Sequence, residues 1–178
     1  MNGRVTWLRD PRDYQITVLG GLLAYGLLVL GFDLGWPQVI VTLASVLLTQ
    51  RLCTWIWRLP RFDYKSALIS GLSLCLLLRT NHLYLVVFAA VVTIGSKFVL
   101  RVRAKHIFNP TNFGLVVLLL TTNDAWVSPG QWGNVAFFGF LMACLGGLVV
   151  HRALRSDVAI GFVVAYASLL IGRSLYVG

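Results

Sequence analysis

Long apolar runs separated by short, basic connections constrain the fold of this chain more than any other feature. Five of them are long enough for a helix to cross about 30 Å of hydrocarbon at about 1.5 Å per residue. These are residues 14–32, 36–57, 83–100, 132–150 and 158–177. Two further runs, 66–78 and 113–120, are too short to cross alone. The sequence therefore predicts an all-α, polytopic integral membrane protein whose two short segments are broken or half helices.

The composition excludes a water-soluble enzyme, because 58% of the residues are hydrophobic and only 12% are charged. The 15 Lys and Arg outnumber the 6 acidic residues and give a net charge of +9. If the N-terminus is cytoplasmic and every apolar segment crosses once, all the basic residues except Arg79 and Arg173 fall on the cytoplasmic side. The charge thus predicts a membrane protein with a cytoplasmic N-terminus, in contact with the lipid bilayer and with no nucleic-acid partner.

The titratable residues predict neither a metal site nor a catalytic residue. The three cysteines lie inside apolar runs, and the three histidines lie at the ends of predicted helices. Neither set has the spacing that a metal ion requires. No carboxylate lies in the middle of an apolar segment, so the sequence offers no intramembrane Asp/Glu proton relay.

The first short segment carries a stripe of hydroxyl groups. Asp63 is a suitable N-cap for a helix over 64–78, and Ser66, Ser70 and Ser73 then recur on one face of that helix. A polar stripe within the membrane has to face protein or a cavity, which predicts a lining for a ligand or ion path. The alternative is that the hydroxyls only bond back to carbonyls one turn earlier.

The second short segment begins with the signals of a helix start. Asn109 can cap, Pro110 suits the first helical position, and Asn112 can reach back as in a capping box. Basic residues lie just upstream, at Arg101, Arg103 and Lys105, and a helix N-terminus favours anions. The pattern suits an anion such as a phosphate, but taken alone it is better explained by a cytoplasmic basic loop and an ordinary cap. Lys97, near the end of the preceding helix, is expected to snorkel to the interface, with an inward-facing role as the alternative.

The order of these motifs resembles the RnfD/NqrB family, which supplies membrane subunits to the Rnf electron transport complex and to the sodium-translocating NADH:quinone oxidoreductase. The resemblance rests on the Ser66–Leu78 run, the helix ending in Lys97 and the Phe108-Asn109-Pro110 triplet, and covers about residues 60 to 120. The chain is most similar to a shorter, RnfD-like branch. This resemblance implies a urea-transporter-like architecture of two inverted repeats, with residues 1–120 as the first repeat and 132–178 as the start of a second within a single transmembrane domain, 1–178.

The resemblance further implies a flavoprotein component of an ion-translocating oxidoreductase in the bacterial cytoplasmic (inner) membrane, which passes electrons across or along that membrane. The Ser-Gly-Ala-Thr sequence to which this family attaches flavin is absent, so the expected FMN or riboflavin is bound noncovalently. The residues expected to bind it are Lys105, Asn109, Thr111, Asn112, Ser66, Ser70 and Ser73. The alternative function is a channel or transporter for a small solute on the same fold, with the serines lining its path.

Only one Ser/Gly short helix and one Phe-Asn-Pro helix start are found, where a two-repeat plan requires a second set. An inverted-repeat site lies between both halves. We therefore expect a truncated member of the family, or a chain that completes its site with another copy of itself or with other membrane subunits of a redox complex.

Overall fold

The computed structural model describes residues 10–102, 105–128, 136–152 and 156–177, which are mostly helical. All seven apolar segments that the sequence predicts form helices in this part of the chain. The helices are α1 (Pro11–Leu28), α2 (Trp36–Ile56), α3 (Tyr64–Leu77), α4 (Leu83–Val99), α5 (Pro110–Thr121), α6 (Ala136–Arg152) and α7 (Ser156–Val177). Two stretches, Trp36–Ile56 and Ala159–Tyr176, are long and apolar enough to cross a membrane by length and composition.

The two short helices begin at the caps that their sequences predict. The Asp63 side chain accepts a hydrogen bond from the Ser66 N–H at the start of α3. The Asn109 side chain accepts from the N–H groups of Thr111 and Asn112, with Pro110 at the first position of α5. Both caps satisfy backbone donors that a helix cannot pair by itself.

Short strands, which the all-α expectation did not include, follow both short helices and also separate α4 from α5. They are β1 (Leu78–Thr80), β2 (Arg101–Val102), β3 (Lys105–His106) and β4 (Ala125–Val127). β1 pairs antiparallel with β4, and β2 pairs antiparallel with β3. The Ser128 N–H extends the first ladder by donating to the Leu77 carbonyl at 2.7 Å. The ends of α3 and α5 are therefore tied together by backbone hydrogen bonds, which satisfy the polar groups left where each helix stops.

Small residues allow the helices of this region to approach closely. A Cβ added at Gly71 of α3 would lie 2.8 Å from a methyl carbon of Val46 on α2, and one added at Gly114 of α5 would overlap the Thr93 hydroxyl of α4. Ala89 and Ala90 of α4 are fully buried in the same core. Glycine and alanine at these contacts remove the side chains that would separate the helices.

The chain divides into two compact units. Residues 12–134 form the unit that contains α2 to α5, nearly all of α1 and the four strands, and its core lies between α2, α3, α4 and α5. The other unit contains α6 and α7. On α7 the rings of Phe162 and Tyr166 stack with centroids 6.0 Å apart, and both side chains are exposed.

Candidate functional site

A cavity of about 270 Å³ opens where the first turns of α3 and α5 meet the last turn of α4. Its described lining consists of Arg12, Gln15, Ser66, Ile69, Ser70, Ser73, Lys97, Asn109, Pro110 and Thr111. Five of the seven residues that the sequence predicts as cofactor ligands are in this set. The two short apolar segments, separated along the chain, thus contribute to one site.

All three serines of the α3 stripe line the cavity. The Ser70 hydroxyl also donates to the Ser66 carbonyl one turn earlier, at 3.1 Å. The two interpretations of the stripe are therefore compatible, because Ser70 satisfies its own proton within the helix while its oxygen remains on the cavity wall.

Lys97 is the buried cation of the site. Its side chain is only 6% exposed, and its Nζ donates to the Ser66 carbonyl at 2.8 Å and to the Ser66 hydroxyl at 3.0 Å. The expectation that Lys97 snorkels to the interface is wrong. The last turn of α4 packs beside the first turn of α3, where the Ser66 carbonyl and hydroxyl accept from the ammonium.

The start of α5 contributes Asn109, Pro110 and Thr111 to the cavity wall, and Thr111 is buried. Asn112 is exposed and is not among the lining residues, so its role is confined to a backbone N–H that Asn109 caps. The Lys105 side chain and all of Arg103 lie outside the described residues.

Arg101 does not belong to the described lining of the cavity. It is exposed, and its guanidinium lies over the Phe98 ring, 5.6 Å from the ring centroid. Arg101 is the one side chain of the basic run before the Phe-Asn-Pro triplet that the structure describes, and it contacts an aromatic ring.

Two residues of the cavity wall, Arg12 and Gln15 of α1, were not predicted from the sequence. Arg12 donates through one nitrogen to both carboxylate oxygens of Asp63, at 2.9 and 2.8 Å. The same carboxylate caps α3, so one acidic residue joins α1 to the rim of the cavity. No local pattern marks this contact, since Arg12 and Asp63 are 51 residues apart.

Arg79, one of the two basic residues that the predicted topology places on the far side, is buried within the unit and only 3% exposed. One terminal nitrogen donates to the carbonyls of Cys75 and Leu78, both at 2.9 Å, and the guanidinium lies 5.5 Å from the Phe32 ring centroid. Arg79 thus supplies donors to the C-terminal end of α3, whereas the cavity lies at the N-terminal end of that helix.

The cavity combines hydroxyl, amide and cationic groups. Its described lining includes two cations, Arg12 and Lys97, and neither a carboxylate nor an aromatic ring. Within the described residues, no group of three His, Cys, Asp or Glu side chains could hold a metal ion. Such a wall suits a small anion or polar solute better than a cation or an aromatic ring system.

In comparisons with family models, with curated proteins and with solved structures, nothing matches this chain.

Proposed function

We propose that this chain is a polytopic protein of the bacterial inner membrane. Large apolar side chains are exposed along several helices, for example Ile40 and Leu48 on α2, Leu120 on α5 and Leu175 on α7. Soluble monomers rarely expose contiguous apolar surface on this scale. The exposed apolar faces fit hydrocarbon, and the distribution of Lys and Arg favours a cytoplasmic N-terminus.

We propose further that the cavity binds a small anionic or polar solute and is part of a path through the membrane. The observation that carries this proposal is the buried ammonium of Lys97 at the meeting point of two helix N-termini. Each N-terminus carries a partial positive charge, and short helices that begin inside a membrane domain are where transporters hold anionic groups. The hydroxyls of Ser66, Ser70 and Ser73 extend the polar wall along α3.

The test is solute flux into proteoliposomes made with the full chain. The probes are chloride, nitrate, formate and inorganic phosphate, each applied as an outward or inward gradient. We expect flux of at least one anion, loss of that flux in Ser70→Leu, and a reduction of tenfold or more in Lys97→Gln, because a buried ammonium contributes more than about 1.4 kcal/mol to anion binding. Flux of none of the four probes would contradict the path.

Ser168→Leu is the matched control for Ser70→Leu. Ser168 lies on α7 and, like Ser70, donates to the carbonyl four residues earlier, but it is exposed and does not line the cavity. Flux that falls equally in both variants would show a general effect of the substitution and would contradict the assignment of the cavity.

A noncovalent flavin site in a redox protein is the second candidate. It is favoured because the segments that resemble the RnfD/NqrB family meet at one cavity. The residues fit only part of the cofactor, since 270 Å³ is below the usual size of a cofactor pocket and the described wall offers no aromatic ring on which an isoalloxazine could stack. Lys97, Asn109 and Thr111 would hold the phosphate or ribityl end, and the flavin, when bound, would supply one- and two-electron chemistry.

The absorption spectrum of the gently purified chain, before and after addition of FMN or riboflavin, separates the two candidates. The flavin proposal requires bound flavin and tighter binding of FMN than of riboflavin, because the phosphate would meet the Lys97 ammonium. Absence of the flavin bands, with no recovery on addition of either compound, would contradict it.

A further inference from the structure

A second cavity, of about 610 Å³, lies at the C-terminal end of α2. Its described lining is Arg51, Thr54, Trp55, Ile56, Arg58 and Leu59. None of these residues lines the cavity at the starts of α3 and α5. The larger cavity, which we call the α2-end cavity, is thus a separate feature that the proposed function does not use.

Three carbonyl groups in the last turn of α2 accept hydrogen bonds from the backbone that follows. The Trp57 N–H donates to the Cys53 carbonyl, the Arg58 N–H to that of Trp55 and the Leu59 N–H to that of Thr54, at 2.9, 3.1 and 3.0 Å. The last two bonds form the Schellman pattern, in which backbone N–H groups beyond the helix satisfy its final carbonyls. These three carbonyls therefore do not need the two guanidinium groups of the α2-end cavity as donors.

Arg58 occupies a backbone position at which glycine would be more favourable. Its φ is +49°, in the left-handed region, at the residue of the Schellman pattern that is usually glycine. Backbone strain of this kind concentrates at binding sites. An arginine kept there in place of glycine therefore favours a binding role for its side chain.

Neither guanidinium forms a hydrogen bond or an ion pair within the described residues. Arg51 lies over the Phe62 ring at 5.9 Å from the centroid, and both arginines are exposed. Two guanidinium groups with no hydrogen-bond or ion-pair partner among the described residues favour a phosphate at this cavity, since a phosphate accepts several charge-assisted hydrogen bonds at once.

The apolar surface beside the α2-end cavity fits an acyl chain. Leu48, Leu52 and Trp55 follow one face of α2 at intervals of four and three residues, and all three are exposed. Trp55 reaches the cavity, and aromatic residues of this kind favour the headgroup layer of a bilayer. The two arginines and this apolar face are thus adjacent, in the order of the headgroup and acyl chain of a phospholipid.

We infer that the α2-end cavity is a binding site for the phosphate of an anionic phospholipid, with Arg51 and Arg58 as its ligands and the exposed face of α2 as the surface for an acyl chain. Basic pockets on the cytoplasmic side of membrane domains are suited to such headgroups. The inference rests on the proposed membrane location and is independent of the solute or flavin that the other cavity binds.

The test is native mass spectrometry of the full chain in mild detergent, titrated with phosphatidylglycerol or with phosphatidylcholine of identical acyl chains. We expect preferential retention of phosphatidylglycerol, and a loss of about fivefold in that preference in both Arg51→Gln and Arg58→Gly. Arg58→Gly keeps a residue that suits the left-handed conformation, so its loss of lipid preference cannot be attributed to unfolding.

Arg61→Gln is the matched control, since Arg61 is an exposed cation of the same connection and does not line the α2-end cavity. Equal retention of the two lipids, or a preference that survives both Arg51→Gln and Arg58→Gly, overturns the inference. So does an equal loss in Arg61→Gln, which would mean that only net charge matters. Displacement of phosphatidylglycerol by inorganic phosphate at low millimolar concentration would assign the site to phosphate from solution and overturn the lipid.

Two further measurements separate this inference from the proposed function. Lys97→Gln, which alters the other cavity, is expected to leave phosphatidylglycerol retention unchanged, and a loss equal to that in Arg51→Gln overturns the independence of the sites. Alkaline washing of membranes tests the location itself: release of the chain contradicts the membrane proposal and this inference together, whereas equal lipid retention by a chain that stays in the membrane contradicts only the inference.

Discussion

Gly114 sets the distance between α4 and α5, and hence the position of Thr111, which lines the cavity. A Cβ at this position would overlap the Thr93 hydroxyl and would lie 3.1 Å from Thr93 Cβ and 3.2 Å from the Ala89 carbonyl oxygen. We expect Gly114→Ala to lower the free energy of unfolding by about 1–3 kcal/mol, because the backbone carbonyl cannot move aside as a flexible side chain would. Thermal unfolding in detergent, followed by tryptophan fluorescence, measures the change.

Gly95→Ala is the control for this substitution. Gly95 lies in α4, and nothing is within 4 Å of a Cβ added there. Alanine at such an open helical position is expected to be neutral or stabilising. A Gly114→Ala variant as stable as Gly95→Ala would show that α4 and α5 are not in close contact at this point.

At the scale of elements, the pairing of β1 with β4 holds the ends of the two short helices together. Thr80 is directly opposite Ala125 in the ladder. Opposite Cα atoms in antiparallel strands lie about 4.5–5.5 Å apart, within the range that a disulfide spans. With the native cysteines replaced by alanine, we expect Thr80→Cys with Ala125→Cys to form a disulfide on mild oxidation, detected by mass after thiol alkylation.

The pair Thr80→Cys with Val127→Cys provides the register control. Val127 is opposite Leu78 and therefore diagonal to Thr80. Diagonal residues lie about 7–8 Å apart, which is beyond ordinary disulfide geometry. Faster oxidation of this pair than of the Thr80 and Ala125 pair would contradict the register.

The helices could be predicted because length and apolar content suffice to define a helix in an apolar chain, and because Asp63 and Asn109 mark their starts locally. The strands could not be predicted in this way. A strand of three residues such as Leu78–Thr80 carries no periodic signal. Arg79 lies within it, and a charged residue between two apolar segments is more typical of a loop. The burial of Arg79 depends on the Phe32 ring and on the carbonyls at the end of α3, which only the assembled fold brings together.

The same limit applied to the candidate site. Asn109, Thr111 and the three serines are recognisable because each belongs to a local helix pattern. The placement of Lys97 depends on its partners in the fold. The sequence favoured the membrane interface, whereas the structure pairs its ammonium with Ser66. Arg12 reaches the site through Asp63, a contact between distant segments that no spacing rule reveals.

For the whole molecule, the charge distribution predicts which connections share a side of the membrane. Arg101 and Asn123 flank α5 and are both exposed. With the exposed Cys144 replaced by alanine, single cysteines at these two positions are expected to react with a membrane-impermeant thiol reagent from opposite sides, Arg101→Cys from the cytoplasm. Labelling of intact and of inverted vesicles measures this.

Asn123 is a better probe of the far side than Ser128, which is buried and whose N–H bonds to the Leu77 carbonyl. Arg58→Cys provides a second cytoplasmic reference. Labelling of Asn123→Cys from the same side as both basic positions would mean that α5 is re-entrant, and the count of crossings would fall accordingly.

The ladder between β1 and β4 also has a consequence for synthesis. Leu78 and Val127, its paired residues, are separated by two further helices, so β1 leaves the ribosome well before its partner. Until Ala125–Val127 emerges, the backbone groups of Leu78–Thr80 have no strand to bond with, and in the membrane location proposed above they would be costly to leave in hydrocarbon. We therefore expect the nascent chain to keep the end of α3 hydrated, or shielded by the insertion machinery, and to close this region only after α5 has been made.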